Sequence, residues 1–257
     1  MQLLKELFAY REMIYMLVRR EIRGRYKGSV LGFFWTFLNP LLQFVVYALV
    51  FSVLVRMDIE KFYVYLFVAF IPWFFTATAI PQSATCIQSH SNMVQKIYFP
   101  RLVLPLSTVM TAFVNMLLSE IVVFVVLLLS GFRLTVHIAA LPVVMVIQFV
   151  FVLGIALIVS ALTVYFRDLA HIIDILVMAW FYATPIVYPP EMVPEKLKFL
   201  LYCNPMTGLV ESYRNILYYN DWPEFSTMML ALAVGIVTVV VGVCVFQRLQ
   251  KGFAEEL

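Results

Sequence analysis

The stretch FYATPIVYPPE, residues Phe181–Glu191, decides how the chain around it can fold. It ends an apolar run that begins near Leu169 and is otherwise typical of a membrane helix. Proline lacks the N–H that continues a helix and clashes with the preceding turn, so Pro185 predicts a kink or a helix end, and Pro189 and Pro190 prevent resumption in line. A helix stopping before Pro185 would have about 16 residues and reach roughly 24 Å, short of a hydrocarbon core of about 30 Å. The freed carbonyl groups would then need partners from neighbouring helices or from water.

The composition excludes an ordinary soluble globular protein. The chain has 257 residues, of which 63% are hydrophobic and only 13% charged, and its mean hydropathy is +0.94. No GxxxxGK[ST] phosphate loop occurs, and the nearest string, Lys27–Ser29, lacks the glycine-rich turn, so we expect no bound ATP or other cofactor. Cys86, Cys203 and Cys244 are scattered, which predicts neither a metal site nor an intrachain disulfide. Membrane lipids, and not nucleic acid, are the expected surroundings.

Six apolar stretches are long enough, or nearly long enough, to cross a bilayer as helices. We therefore predict an all-α membrane protein with a single transmembrane domain over residues 1–257, whose six transmembrane helices are 31–55, 62–86, 102–130, 138–166, 169–188 and 227–246. Lys and Arg are twice as numerous in the connecting segments on the N-terminal side as on the other side. By the positive-inside rule, both termini are predicted to be cytoplasmic.

Two segments outside the spans have amphipathic patterns. Residues 1–28 place apolar side chains on one helical face and basic ones on the other, which predicts an N-terminal amphipathic interface helix on the inner membrane surface. This helix serves as a membrane anchor, as a docking ledge for a cytoplasmic partner, or as both. Residues 189–225 predict two short outer amphipathic helices, the second starting with Asn204 as N-cap and Pro205 at the first helical position.

Ionisable residues within the spans are few. Arg167, His171 and Asp174 share one helical face, next to Asp168, and a structural or interface ion-pair network at the cytoplasmic mouth is the favoured interpretation. Glu120, near the centre of span three, is favoured as a hydrogen-bonded packing residue. The alternative is a proton-coupled secondary transporter using these groups, although the outer half of span five offers no titratable group and no inverted repeat is apparent. A membrane-embedded enzyme would need a paired carboxylate motif, which the dispersed outer acids do not supply.

Aromatic side chains recur along one face of span one: Phe33, Phe37, Phe44, Tyr47 and Phe51. Such a face suits packing or lipid contact. It equally suits a sliding surface for sugars, whose C–H faces stack on rings while water solvates their hydroxyls. Trp180 and Tyr182 in span five add polar groups to the same kind of surface.

Four strings together resemble the permease subunit of type-2 ABC exporters, in the branch that exports bacterial polysaccharides. They are RYKGSVLGFFWTFLNPLL (25–42), NMVQKIYFPRLVLP (92–105), YFRDLAHIIDILVMAWFYATPIVYPPEMVP (165–194) and NPMTGLVESYRNILY (204–218), and the match runs in order over nearly the whole chain. The resemblance implies a homodimer in the bacterial inner membrane, with two separate ATPase subunits that hold ATP and Mg. Within the branch the strings are most similar to the O-antigen exporter, whose cargo is a glycan on undecaprenyl pyrophosphate. Capsule and teichoic acid exporters remain alternatives.

The resemblance also implies roles for individual residues, with none catalytic and none binding metal. Residues Ser89–Lys96 would form a coupling helix, and the contacts expected with the ATPase are Ser89, His90, Asn92, Lys96, Arg20 and Arg23. The expected channel-lining aromatics are Phe33, Phe37, Phe44, Tyr47, Trp180 and Tyr182. The outer gate would comprise Pro185, Tyr188, Pro189, Pro190 and Tyr213, and the cytoplasmic mouth Arg167, Asp168, His171 and Asp174.

Overall fold

The computed structural model describes residues 2–24, 32–51 and 59–257, without the side chains of residues 2–4, 33, 36 and 254. Within these ranges the chain is helical and contains no strand. The helices are α1 (Gln2–Ala9), α2 (Arg11–Gly24), α3 (Trp35–Leu49), α4 (Phe62–Ser89), α5 (Ser91–Lys96), α6 (Val103–Leu129), α7 (Leu141–Tyr165), α8 (Leu169–Ala183), α9 (Glu195–Cys203), α10 (Pro205–Arg214), α11 (Phe225–Leu249) and α12 (Phe253–Glu256). The prediction of an all-α protein is confirmed for this part of the chain.

Four helical stretches are long and apolar enough to cross a membrane, namely Phe62–Ser89, Val103–Leu129, Val136–Tyr165 and Phe225–Gly252. They make the chain a multi-pass membrane protein. The helices at the predicted spans one and five, α3 and α8, have 15 residues each and are therefore only about 22 Å long. Of the predicted span 31–55, residue 31 and residues 52–55 lie outside the described residues. A total of six spans stays a prediction.

Helices α7 and α11 pack along their length because small residues let their backbones approach closely. A Cβ atom added at Gly154 would lie 2.5 Å from the backbone nitrogen of Val239. One added at Gly242 would lie 2.7 Å from the carbonyl oxygen of Gly154. Glycine is required at both contacts, so the α7–α11 pair forms a fixed wall of the bundle.

The apolar core has two parts. The larger part surrounds α4, which packs against α3, α6, α7, α8 and α10 and is buried along most of its length. The smaller part, which we call the α5-end cluster, lies where α4 ends and α6 begins. It includes the buried side chains of Val94, Phe99, Phe246 and Phe253. Residues from α2, α5, α7, α11 and α12 meet there, so one end of the bundle has its own core.

Helix α10 was predicted to lie at the outer membrane surface, but the structure places it elsewhere. None of its residues is exposed, and Met206, Val210 and Tyr213 have no accessible surface. It packs inside the bundle against α4, α7 and α11. The apolar stripe packs against other helices of the bundle, and the Ser212 hydroxyl, the Tyr213 hydroxyl and the Arg214 guanidinium find partners inside the protein. A 3.6-residue period cannot distinguish a protein core from a membrane surface as the apolar neighbour. The preceding helix α9 is the exposed one, with Phe199 72% exposed.

Candidate functional site

The helix break after α8 lies as the sequence predicts. Helix α8 ends at Ala183, two residues before Pro185, and Thr184 turns to an extended conformation with φ −110° and ψ 135°. The chain is not exposed after the break, because Thr184, Pro185, Ile186 and Val187 are all buried. Their backbone carbonyls therefore need protein partners.

Side chains close in sequence satisfy the last turn of α8. The Thr184 hydroxyl donates to the carbonyl oxygen of Trp180 over 2.9 Å, and its backbone N–H donates to that of Phe181 over 3.3 Å. The Tyr188 hydroxyl reaches back to the carbonyl oxygen of Tyr182 over 2.9 Å. Tyr188, predicted as a gate residue, thus holds the end of the helix that precedes it.

Asn204 joins the end of α8 to the start of α10. Its amide Nδ2 donates to the carbonyl oxygen of Ala183 over 3.3 Å and to the Thr184 hydroxyl over 3.0 Å. Its Oδ1 accepts from the indole N–H of Trp180 over 3.0 Å and from the backbone N–H of Met206 over 3.1 Å. The predicted N-cap of α10 is confirmed, and the same side chain also stabilises the helix break.

Arg214 satisfies the remaining carbonyls and is itself fully buried. Its Nη1 donates to the carbonyl oxygen of Pro185 over 2.6 Å, and its Nη2 donates to that of Ile186 over 2.7 Å. The charge is compensated by the Glu211 carboxylate, 2.7 Å from Nη1, and by the Tyr65 ring, whose centroid lies 3.6 Å from the guanidinium carbon. Burial raises the pKa of Glu211, and the neighbouring guanidinium opposes that shift. We call the helix break, together with the side chains of Asn204 and Arg214 that donate to its carbonyls, the capped junction.

Tyr213, the neighbouring residue on α10, connects the same helix to the bundle centre. Its hydroxyl donates to Gln148 Oε1 over 2.8 Å. The Gln148 amide donates in turn to the carbonyl oxygen of Pro72 over 2.7 Å and to the Thr76 hydroxyl over 3.1 Å. This chain of hydrogen bonds links α10 through α7 to the interior of α4, where Pro72 interrupts the helical hydrogen bonding.

The five predicted gate residues thus fall around one junction. Pro185 is buried at the break, and Tyr213 lies next to the arginine that caps it. Pro189 is half-buried, and Pro190 opens a 3-10 turn, Pro190–Met192, that leads to α9. The structure brings these residues together, and their role in gating stays a prediction.

The predicted channel aromatics of α3 have packing partners within the chain. The ring of Phe44 lies 4.4 Å from that of Phe67, and the ring of Tyr47 lies 5.0 Å from that of Phe181. Phe37 is half-buried, and the side chain of Phe33 lies outside the described residues. The face of α3 that points away from the bundle is instead mostly aliphatic, with Leu42, Val45, Val46 and Leu49 exposed.

The two predicted channel aromatics of α8 differ in environment. Trp180 is half-buried and packs edge-on against Trp73, with ring centroids 5.8 Å apart. Tyr182 is 57% exposed, on the side of α8 that carries the exposed Ile175 and Leu176. Of these two rings, Tyr182 is the one available to a ligand.

The predicted coupling residues meet at the joint between α4 and α5. Arg20 Nη2 lies 2.6 Å from His90 Nε2, and His90 Nδ1 lies 2.8 Å from the carbonyl oxygen of Cys86. Arginine can only donate, so Nε2 accepts, and the proton on Nδ1 is donated to the carbonyl. The remaining predicted residues, Ser89, Asn92, Lys96 and Arg23, are exposed. The structure therefore attaches α2 to the start of α5 and leaves a polar surface around it.

The residues predicted at the cytoplasmic mouth do not form the expected ion-pair network within the chain. Arg167, Asp168, His171 and Asp174 are all exposed, and no ion pair joins any two of them in the described structure. Their helical spacing was predicted correctly, but spacing alone does not bring the charged groups within ion-pair distance of one another. Arg167 instead donates to the backbone carbonyl of Glu256 over 3.4 Å.

Glu120 is buried, with 2% of its surface accessible, but it is not the hydrogen-bonded packing residue that was expected. Within the described structure neither carboxylate oxygen has a hydrogen-bond partner. The period of α6 places it inside the bundle, where its neighbours are largely apolar. No group of three or more potential metal ligands occurs in the described ranges either.

Sequence reasoning missed the two side chains that organise the junction. Arg214 and Gln148 were not singled out. Gln148 is a lone polar residue in the apolar run 141–156, a pattern that could have marked it, because a buried amide must find partners inside the protein. Arg214 shares its side of α10 with Thr207 and Glu211, so the sequence pattern did not mark it as buried.

The fold and the junction define a class: an integral membrane protein in which the short helix α8 ends in a protein-capped break, with no nucleotide-binding loop in its sequence. Residues 12–218 match the sequence model of the family described as ABC-2 type transporter, and the chain belongs to that family. It is 37% identical over 258 aligned residues to the O-antigen export system permease protein RfbA of Myxococcus xanthus, covering 100% of this chain and 99% of that protein. Two proteins of the same name from Klebsiella pneumoniae are each 30% identical over 247 residues, covering 96% of this chain and 95% of theirs.

Proposed function

We propose that this chain is the membrane-spanning subunit of an ATP-driven exporter that moves a lipid-linked polysaccharide from the cytoplasm to the periplasm. The proposed cargo is O antigen on undecaprenyl pyrophosphate, and the membrane is the bacterial inner membrane. The observation that carries the proposal is the full-length similarity to the Myxococcus xanthus protein, whose name states O-antigen export. Capsular polysaccharide and teichoic acid are the alternative cargoes.

The proposed architecture has six spans in one domain, with both termini in the cytoplasm and two copies around a channel. Helices α3 and α8 complete the six. Their length of about 22 Å is too short for the full hydrocarbon core, which supports a position beside a water-filled path. The exposed apolar faces of both helices, for example Val46 on α3 and Leu176 on α8, support contact with a second copy.

The energy source in this proposal is a partner ATPase, which holds ATP and Mg. Membership of a transporter family driven by ATP supports such a partner, and the chain has no phosphate loop of its own. The partner would seat on α5. The hydrogen bond between Arg20 and His90 supports this assignment, because it fixes α2 to the same surface.

The test is reconstitution of the purified chain, with its copurified ATPase, into proteoliposomes containing a lipid-linked glycan. We expect glycan movement that requires ATP hydrolysis, with O antigen moved faster than capsule or teichoic acid. Movement driven by a pH gradient without ATP would replace the proposal with a proton-coupled transporter. Chemical change of the glycan by the isolated chain would identify an enzyme.

The aromatic stripe of α3 has its own test in the same assay. Phe37→Ala combined with Tyr47→Ala is expected to slow export without reducing the amount of folded protein, if sugars slide along these rings. An unchanged export rate would assign both rings to packing, for which Tyr47 already has a partner in Phe181.

A further inference from the structure

Residues 250–257, which we call the tail segment, fold back against the end of the bundle that holds α5. They form a 3-10 turn, Gln250–Gly252, followed by α12. Helix α12 contacts both α5 and α7. The roles predicted so far do not involve this segment.

Two arginines from other parts of the chain hold its backbone. Arg101, at the start of α6, donates from Nη1 to the carbonyl oxygen of Gln250. Arg167, in the turn between α7 and α8, donates from Nη2 to that of Glu256 over 3.4 Å. Hydrogen bonds from charged donors are stronger than those between neutral groups. The tail segment is therefore fixed to two distinct connections of the bundle.

Where the tail segment begins, its backbone packs against the side chain of Tyr165 at the end of α7. The Tyr165 hydroxyl donates to the carbonyl oxygen of Leu249 over 2.7 Å. The same hydroxyl lies so close to Gly252 that an added Cβ atom would be only 2.5 Å from it. Glycine at this position lets the chain turn directly over the tyrosine, and a side chain here would require the turn or the Tyr165 hydroxyl to shift.

The ring of Phe253 anchors the tail segment in the α5-end cluster. It is fully buried, with the Phe246 ring 5.5 Å away, the Tyr165 ring 6.2 Å away and the Arg101 guanidinium 5.8 Å from its centroid. Val94, the buried residue of α5, belongs to the same cluster. One apolar core thus contains both the tail segment and the proposed coupling helix.

Helix α5 needs such support because it has only six residues. A helix of this length is not stable by itself in water. Helix α5 can transmit a movement to the rest of the bundle only if packing holds it to longer helices. Its neighbours on the bundle side are the end of α4, the α5-end cluster and α12.

We propose that the tail segment is a brace that joins α5 to the ends of α7 and α8, so that a push on α5 moves those helices. The inference rests on the proposed function, because it requires α5 to be the contact for the ATPase. Phe253 is then a positioning residue that acts through α5. Without its ring, α5 would tilt alone, and ATP would be hydrolysed without a matching movement of glycan.

The first measurement is the amount of glycan exported per ATP hydrolysed by the reconstituted complex. We expect Phe253→Ala to lower this ratio by about fivefold or more, because removing the buried ring leaves a cavity in the core that the tail segment shares with α5. ATP hydrolysis itself should continue. Phe253→Leu, which keeps most of the apolar volume, should restore most of the ratio. Lys251→Ala, on the exposed side of the same turn, is the matched control and should match the parent chain.

The second measurement reports on α5 directly and needs no transport. A spin label at Gln95→Cys, an exposed position of α5, is placed in a chain in which the exposed Cys203 and Cys244 are replaced by serine. Phe253→Ala should increase the mobility of the label, and Lys251→Ala should not. Gly252→Ala, whose Cβ atom requires the turn or the Tyr165 hydroxyl to shift, is a second variant with the same two expectations.

An unchanged export ratio together with unchanged label mobility in the Phe253→Ala and Gly252→Ala chains would overturn the brace. A purely structural role would lower the amount of assembled complex but leave the ratio of the remaining complex unchanged, which would also overturn it. Absence of ATP-dependent export by the parent complex would instead contradict the proposed function. The label mobility would still test the attachment of α5.

Discussion

Replacing Arg214 by methionine is the most direct test of the capped junction. Methionine fills a similar apolar volume and keeps contact with the Tyr65 ring but cannot donate hydrogen bonds. The carbonyls of Pro185 and Ile186 would each lose a donor while staying buried. An unsatisfied buried acceptor costs about 1–3 kcal/mol, so the free energy of unfolding should fall by about 2–6 kcal/mol.

Two companion variants make the test specific. In Arg214→Lys a single ammonium group replaces the two guanidinium nitrogens that donate to the two carbonyls. We therefore expect the free energy of unfolding to fall by less than in Arg214→Met. Arg133→Met removes an exposed arginine and should change the free energy of unfolding by less than about 0.5 kcal/mol. The substitution also leaves the Glu211 carboxylate, which is 27% exposed, without its counter-charge, and this adds to the loss.

The assay is equilibrium unfolding of the purified chain by sodium dodecyl sulfate in mixed micelles, followed by tryptophan fluorescence. Trp180 reports on the junction itself, since its indole N–H is bonded to Asn204. A loss below about 1 kcal/mol for Arg214→Met would refute the reasoning, because it would mean that other groups can supply the missing donors.

The other predictions concern packing, the central hydrogen bonds and the energy source. Gly154→Val should overpack α7 against α11 and lower the free energy of unfolding by about 1–3 kcal/mol or more. The control is Gly24→Ala, which should leave the free energy of unfolding unchanged because no atom lies within 4 Å of the new Cβ. Gln148→Leu leaves the buried Tyr213 hydroxyl without an acceptor and should lower the free energy of unfolding by about 1–3 kcal/mol. Adding Tyr213→Phe to this variant should lower it hardly further, whereas additive losses from the two substitutions would contradict the hydrogen bond between the two side chains. Glu120→Gln should retain ATP-driven export in proteoliposomes, and loss of export with normal assembly would support the proton-coupled alternative.

The sequence alone predicted the end of α8 because the effect of proline is local. Pro185 removes a donor and blocks the preceding turn whatever surrounds it. The partners of the freed carbonyls could not be predicted in the same way. Arg214 lies 29 residues further along the chain, and only the three-dimensional packing of α10 brings it to Pro185.

The same distinction between local and tertiary effects explains the other outcomes. The N-cap at Asn204 was predictable because it requires only the residue and its immediate successors. The burial of α10 was not, since an apolar helical stripe specifies an apolar neighbour without saying whether that neighbour is lipid or protein. The absence of ion pairs around His171 depends on side-chain directions that spacing does not determine.

The capped junction also constrains how the protein enters the membrane. Helix α8 is synthesised before Asn204 and Arg214, so the backbone carbonyls of Ala183, Pro185 and Ile186 leave the ribosome before their protein donors have been made. Bare carbonyls are costly in hydrocarbon. We therefore expect the end of α8 to take its final position only when α10 has been made and has packed beside α4, so that α8 and α10 are integrated as one unit.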